Sequence, residues 1–148
     1  MRILGLDPGE RRIGVALSDP TGLLASPLTV IKRSGLSDDL AAVARLVQEH
    51  EVELVVVGEP RTLRGEVGPQ AEAAREFAGQ LAGYVRVPVE MWDERLSTVA
   101  AEREMLALGI RAEKRRAQRD AVAAAIILQG YLDRLRWKER TSDAGGDV

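Results

Sequence analysis

Two short apolar runs, "RILGL" and "RIGVALS", stand on either side of "DPGER", and a third, "SPLTVIKR", follows the turn "DPTG". Aliphatic, β-prone runs cut by Pro-Gly and Gly turns predict three strands in an antiparallel meander. The period then changes. In "LSDDLAAVARLVQEHEV" the apolar positions Leu40, Val43, Ala44 and Val47 recur at helical spacing, with Ser37 placed to cap the first turn. "ELVVVGEP" is a continuous apolar run, the pattern of a strand covered on both faces. A second helix, "QAEAAREFAGQLAGYV", is built on Ala73, Phe77 and Leu81, and the strand "VPVEMW" follows it. After "DERLST", the stretch "VAAEREMLALGI" has helical spacing, with Ser97 or Thr98 able to cap it. The last helix, "DAVAAAIILQGYLDRLRW", is apolar along one side.

This order of elements predicts an α/β fold with a mixed five-stranded sheet flanked by helices. Right-handed crossovers give the strand order 3-2-1-4-5, with strand 2 antiparallel to its neighbours. Strands one, four and five then end on one edge, and each ends in acid: Asp7, Glu59 in "VGEP", and Asp93 with Glu94 in "WDER". Ligands of open α/β sheets bind outside the carboxyl ends of the strands. A lone carboxylate at the end of a buried strand costs several kcal/mol unless a cation or hydrogen-bond donors meet it. Asp120 joins the group, because it heads the stripe Ala123, Ala124 and Ile127 of the last helix. Taken alone, Asp120 also reads as a favourable charge at a helix N-terminus.

Clustered acids repel one another unless cations neutralise them, and hard ions such as Mg²⁺ or Mn²⁺ take oxygen ligands of this kind. Two such ions about 4 Å apart activate water and stabilise a leaving oxygen in phosphodiester cleavage. A two-metal site is therefore the expectation. The 148 residues contain no cysteine, which excludes disulfides, thiolate zinc sites and Cys nucleophiles. The single histidine, His50, falls at a helix end, where a cation is favourable, and leaves no room for multi-histidine metal centres. Neither a signal peptide nor a membrane-length apolar run is present, so a cytoplasmic protein with no membrane partner is expected. The length suits one domain, over residues 1–138, with 139–148 a disordered polar tail.

The motifs "GLDPGERRIGVALSD", "RGEVGPQAE", "DERLST" and "RDAVAAAIILQGYL" resemble, in order and spacing, those of the YqgF family, also called RuvX. Its members are described as pre-16S rRNA nucleases related to RuvC Holliday junction resolvases, within the RNase H-like superfamily. The likeness runs from Met1 to about Leu135. It implies an RNase H-like fold and a metal-dependent nuclease, with Asp7, Glu94 and Asp120 on the family's acidic positions as metal ligands and catalytic groups. The chain departs from the family at Glu59, where an apolar residue is usual. Glu59 is either an extra ligand or the partner of Arg61 or Arg64, and the ion pair is the preferred reading. Asp93 is a similar candidate, although adjacent strand residues point to opposite faces, so Asp93 and Glu94 cannot serve alike.

The formal charge of -2 gives no global attraction for nucleic acid, so local patches must supply it. Arg11 and Arg12, Arg61 and Arg64, Arg95, and Arg111, Lys114, Arg115, Arg116 and Arg119 flank the acidic edge. The segment "RAEKRRAQR" lacks an apolar face and reads as a mobile loop. Backbone contacts from such groups position a strand without reading its sequence, and 3% aromatic content leaves little for base stacking. The partner expected is pre-rRNA or branched DNA, bound by a monomer or homodimer. Two other readings remain: an actin-like ATPase or phosphotransferase, suggested by "LDPGERRIGVAL", and a catalytically silent ribosome-assembly module.

Overall fold

The computed structural model describes residues 1–60, 67–96 and 112–145, with 112–118 and 141–145 as backbone only. Its strands are β1 (Ile3–Pro8), β2 (Arg12–Ser18), β3 (Ala25–Lys32), β4 (Leu54–Glu59) and β5 (Val89–Asp93). They form one sheet in the order β3-β2-β1-β4-β5. β2 is antiparallel to both β1 and β3, while β4 and β5 run parallel to β1, as the sequence predicts. The described helices are α1 (Leu36–Glu49), α2 (Pro69–Leu81) and α3 (Ala112–Gly145), with a 3₁₀ turn at Glu94–Leu96. None of them is long and apolar enough to cross a membrane.

Strand side chains alternate between faces, so residue parity decides which helix each one meets. On one face Leu4, Leu6, Ile13, Val15, Val55 and Val57 pack against Leu40, Val43 and Val47 of α1 and Phe77 and Leu81 of α2. On the other, Ile3, Ala16, Leu54 and Val56 pack against Ala124, Leu128 and Leu132 of α3. β4 is buried along its whole length, as its unbroken apolar run requires.

The α3 face is floored by glycine. A Cβ on Gly14 of β2 would lie 1.8 Å from the Asp120 carbonyl oxygen, one on Gly5 of β1 2.8 Å from Leu128 Cβ, and one on Gly58 of β4 2.6 Å from Ile127 Cδ1. Three neighbouring strands thus present bare backbone where α3 crosses them. At these three positions the helix sits closer to the sheet than a side chain would allow, and the turn above Gly14 carries Asp120.

Several local expectations are corrected. α1 begins one residue before Ser37, its N-cap is Gly35, and no side chain caps it. Gly35 has φ 150°, a conformation that favours glycine. The buried Asp39 instead accepts from the Ser34 N–H and from Arg33 Nε, both at 3.0 Å. In α2 the buried stripe is Ala71, Ala74, Phe77, Ala78 and Leu81, leaving Ala73 outside it. The basic stretch read as a loop is helical from Ala112 onward, and the helix extends to Gly145. The reason is propagation. Once Ala121–Leu132 is docked, each further residue adds a hydrogen bond without a new nucleation cost, and Ala, Glu, Lys and Arg are good helix formers. The helix expected over 99–110 and its caps Ser97 and Thr98 lie outside the described residues.

The glycine floor predicts a ranking. Gly14→Ala should cost about 3 kcal/mol or more, because the obstruction is backbone; Gly5→Ala should cost about 2, and Gly58→Ala about 1, because the flexible end of Ile127 can yield. Urea denaturation of the three variants tests this, and a Gly58→Ala loss equal to that of Gly14→Ala would contradict it.

Candidate active site

Asp7 has the parity of Ile3 and Gly5, so its side chain belongs to the α3 face of the sheet. In the β1–β2 ladder Asp7 stands opposite Gly14, and Gly14 lies directly beneath the Asp120 carbonyl. A strand end and a helix first turn are thereby brought together through the glycine between them. Glu94 comes from the 3₁₀ turn that follows β5, and its carboxyl hydrogen-bonds to Asp7.

The electrostatics follow from that crowding. The Glu94 carboxyl is pushed up to about 7, first by burial, then by the charge of Asp7, by the hydrogen bond to Asp7, and by the charge of Asp93. Asp7 is also raised, by burial and then by the charge of Asp120, against which the hydrogen bond from Glu94 acts. Glu94 is therefore the group that holds the proton, and it donates to the Asp7 carboxylate. Asp120 is met differently: Arg12 Nε donates to its Oδ2 at 2.8 Å, with the side chains 61% and 31% exposed.

Parity also separates the acids that the sequence leaves ambiguous. Glu59 shares the parity of Val55 and Val57, so it faces α2 rather than α3. It is 3% exposed, and its Oε1 lies 2.6 Å from Arg75 Nη2. Glu59 is thus in an ion pair with an α2 arginine; the expected partners Arg61 and Arg64 lie outside the described residues. Asp93 follows Val89 and Met91, also packed on the α1–α2 side. Its carboxylate takes Arg95 Nη2 at 2.7 Å and the Arg95 backbone N–H at 3.0 Å. Arg95 is thus already engaged by Asp93. Arg11 in the β1–β2 turn and Arg12 at the start of β2 are exposed, and Arg119 is exposed next to Asp120. Lys114, Arg115 and Arg116 lie on the N-terminal end of α3, and Arg111 is outside the described residues.

Beside Asp7 and Glu94 opens a cleft of about 360 Å³, lined also by Arg33, Pro60, Pro69 and Gln70. Arg33 fixes one wall of it. Its Nη1 donates to the Gly9 carbonyl at 2.9 Å, its Nε to Asp39 at 3.0 Å, and its guanidinium lies 5.4 Å from the Phe77 ring centroid. Sequence reasoning passed over Arg33, Gln70 and Arg75. The signal for Arg33 was available: two antiparallel pairings make β3 point the same way as β1, so the end of β3 reaches the same edge.

Asp7, Glu94 and Asp120 offer only carboxylate oxygen, the donor type that Mg²⁺ and Mn²⁺ take. Among the described residues, no three acidic or histidine side chains are drawn together tightly enough to hold a metal ion as they stand. Two of the three touch each other, and the third is engaged by Arg12.

A model of the RuvX family, described as Holliday junction resolvase, matches residues 1–134. A relative from Moorella thermoacetica is 55% identical over 135 residues, spanning 91% of this chain and 96% of its own length. One from Symbiobacterium thermophilum is 53% identical over 133 residues, spanning 90% and 92%. Both bear the name "Putative pre-16S rRNA nuclease". Among solved structures, Thermus thermophilus RuvC in complex with a Holliday junction substrate matches with TM-score 0.61 at 24% identity, over 88% of this chain and 94% of that one. Fowlpox virus resolvase with Holliday junction DNA matches with TM-score 0.55 at 12% identity, over 91% and 99%. These likenesses show an RNase H-like fold.

The raised carboxyls make a pH prediction. An acid whose folded pKa exceeds its unfolded value contributes stability that is fully present below the unfolded value, 4.5 for Glu94, and lost as pH rises through about 7. With a chelator present, the Tm of the native protein minus that of Glu94→Gln should fall between pH 4.5 and 7.5. A difference that stays flat across this window would mean that Glu94 is not held protonated.

Proposed function

Because the chain belongs to the RuvX family, we propose that it is a metal-dependent nuclease hydrolysing phosphodiester bonds in structured nucleic acid. Its substrate is the 5′ end of pre-16S rRNA or a branched DNA such as a Holliday junction, and it acts in the cytoplasm as a monomer or homodimer. The observation that carries this reading is the contact between Asp7 and Glu94 at the carboxyl edge of the sheet, beside Asp120.

In this reading Asp7, Glu94 and Asp120 are the metal ligands and the catalytic groups. Mg²⁺ or Mn²⁺, as a pair, supplies an activated water and stabilises the leaving oxygen. Glu94 would have to give up its proton to serve as a ligand, and that proton is what lets it sit against Asp7 in the free protein. Glu59 and Asp93 stand outside the ligand set, each turned to the other face and paired with an arginine. Arg11, Arg12 and Arg119 hold substrate phosphates, together with Arg61, Arg64, Arg111, Lys114, Arg115 and Arg116; Arg95, engaged by Asp93, contributes least. Recognition is of backbone and shape.

A cleavage panel of pre-16S RNA, single-stranded RNA and four-way DNA, with Mn²⁺ or with EDTA, tests the reading. Asp7→Asn should lower cleavage by at least about a hundredfold while Tm in EDTA holds or rises, because the charge that repels Asp120 is removed. Normal cleavage by this variant removes Asp7 from the mechanism. Glu94→Gln should be similarly damaging and Glu59→Gln and Asp93→Asn far less so; an equal loss at Glu59 would make it a working ligand.

Replacing Lys114, Arg115 and Arg116 together with Ala should weaken every substrate similarly and lower the salt slope of binding by up to about three units. Unchanged affinity and slope would confine phosphate binding to the other arginines.

A further inference from the structure

Arg12 and Asp120 are 108 residues apart in sequence, yet their side chains meet at 2.8 Å at the rim of the acid site. Arg12 opens β2 two residues before Gly14, the glycine beneath the Asp120 carbonyl, so the contact is built into the seat of α3. The Arg12 backbone is pinned: its carbonyl accepts from the Gly9 N–H at 2.9 Å, and the residue pairs with Lys32 in the ladder. Its side chain, 61% exposed, can move while the backbone stays.

The negative charge of Asp120 reaches Asp7. The same carboxylate therefore has two uses, as the partner of a guanidinium and as part of the acid site. Exposed ion pairs hold weakly, so a divalent cation competes easily with Arg12 for this carboxylate. A displaced guanidinium keeps its charge and its fork of donors, which match a phosphate.

We propose that Arg12 is an exchangeable counter-ion: it holds Asp120 in the free protein, yields it to a divalent cation, and then takes a backbone phosphate of the nucleic acid. Cation and nucleic acid are thereby coupled through one side chain, each binding more tightly in the presence of the other. Arg12 acts on the site through Asp120 and is a positioning residue. The inference rests on the nuclease reading in one respect, that Asp120 is a cation ligand.

The test uses the full chain and binding alone. Mn²⁺ affinity is measured by calorimetry for the native protein, Arg12→Gln, Arg12→Lys, Asp7→Asn and Asp120→Asn. Binding of a four-way DNA junction is followed by fluorescence anisotropy against salt, in Ca²⁺ and in EDTA, with the probe checked for integrity. Arg12→Gln should bind Mn²⁺ about fivefold more tightly than the native protein, and Arg12→Lys should lie between them. The salt slope of Arg12→Gln should fall short of the native slope by about 0.9 in Ca²⁺ and match it in EDTA. A purely structural role for Arg12 moves neither quantity in this conditional way. Unchanged or weaker Mn²⁺ binding by Arg12→Gln, or a slope deficit of equal size in Ca²⁺ and EDTA, overturns the exchange. The nuclease reading survives that result if Asp7→Asn and Asp120→Asn lose Mn²⁺. If they bind Mn²⁺ as the native protein does, that reading falls and the exchange with it.

Discussion

The close seating of α3 on Gly5, Gly14 and Gly58 is the constraint from which the acid site follows. It sets the height of Asp120 above the sheet, since the carbonyl of that residue occupies the space a Gly14 side chain would fill. Burial is the largest cause of the raised pKa of both Asp7 and Glu94, and Glu94 holds the proton that lies between them.

Strand alternation then sorts the acids. Four carboxylates gather at or just beyond strand ends, yet only two of them face each other. Asp7 and Glu94 turn toward α3, whereas Glu59 and Asp93 turn toward the opposite layer and are satisfied by Arg75 and Arg95. Glu59 is thus accommodated by a salt link to α2 on the far side of the sheet. A buried charge there is tolerable because a cation meets it at 2.6 Å.

Strand order, direction and the acid edge were legible in the sequence because each rests on short-range signals: apolar runs, turn dipeptides and the handedness of crossovers. The preference for an ion pair at Glu59 was legible too. Its partner on α2 was not, because Arg75 is sixteen positions on and reaches it only after α2 has docked. Ser37 misled because capping residues are read by type, whereas the start of α1 is fixed by Gly35 and by the bond from Ser34 to the buried Asp39. The basic segment misled because it has no apolar face of its own and borrows its helical form from the docked stretch beyond it. The glycines were visible, but their shared role appears only when three strands are laid side by side under one helix.

The link between Arg12 and Asp120 also bears on the order in which the molecule comes together. β1 and β2 meet locally across a tight turn, while the helix that completes the site is the last of the described elements and closes a loop of more than a hundred residues. Contacts of such long range form late, after the chain entropy of the intervening segments has been surrendered. A chain emerging from synthesis therefore displays Asp7 on a half-covered sheet, with an apolar face waiting for α3. The acid site is complete only once that helix is docked, and a chain lacking it has neither a closed core nor the third carboxylate.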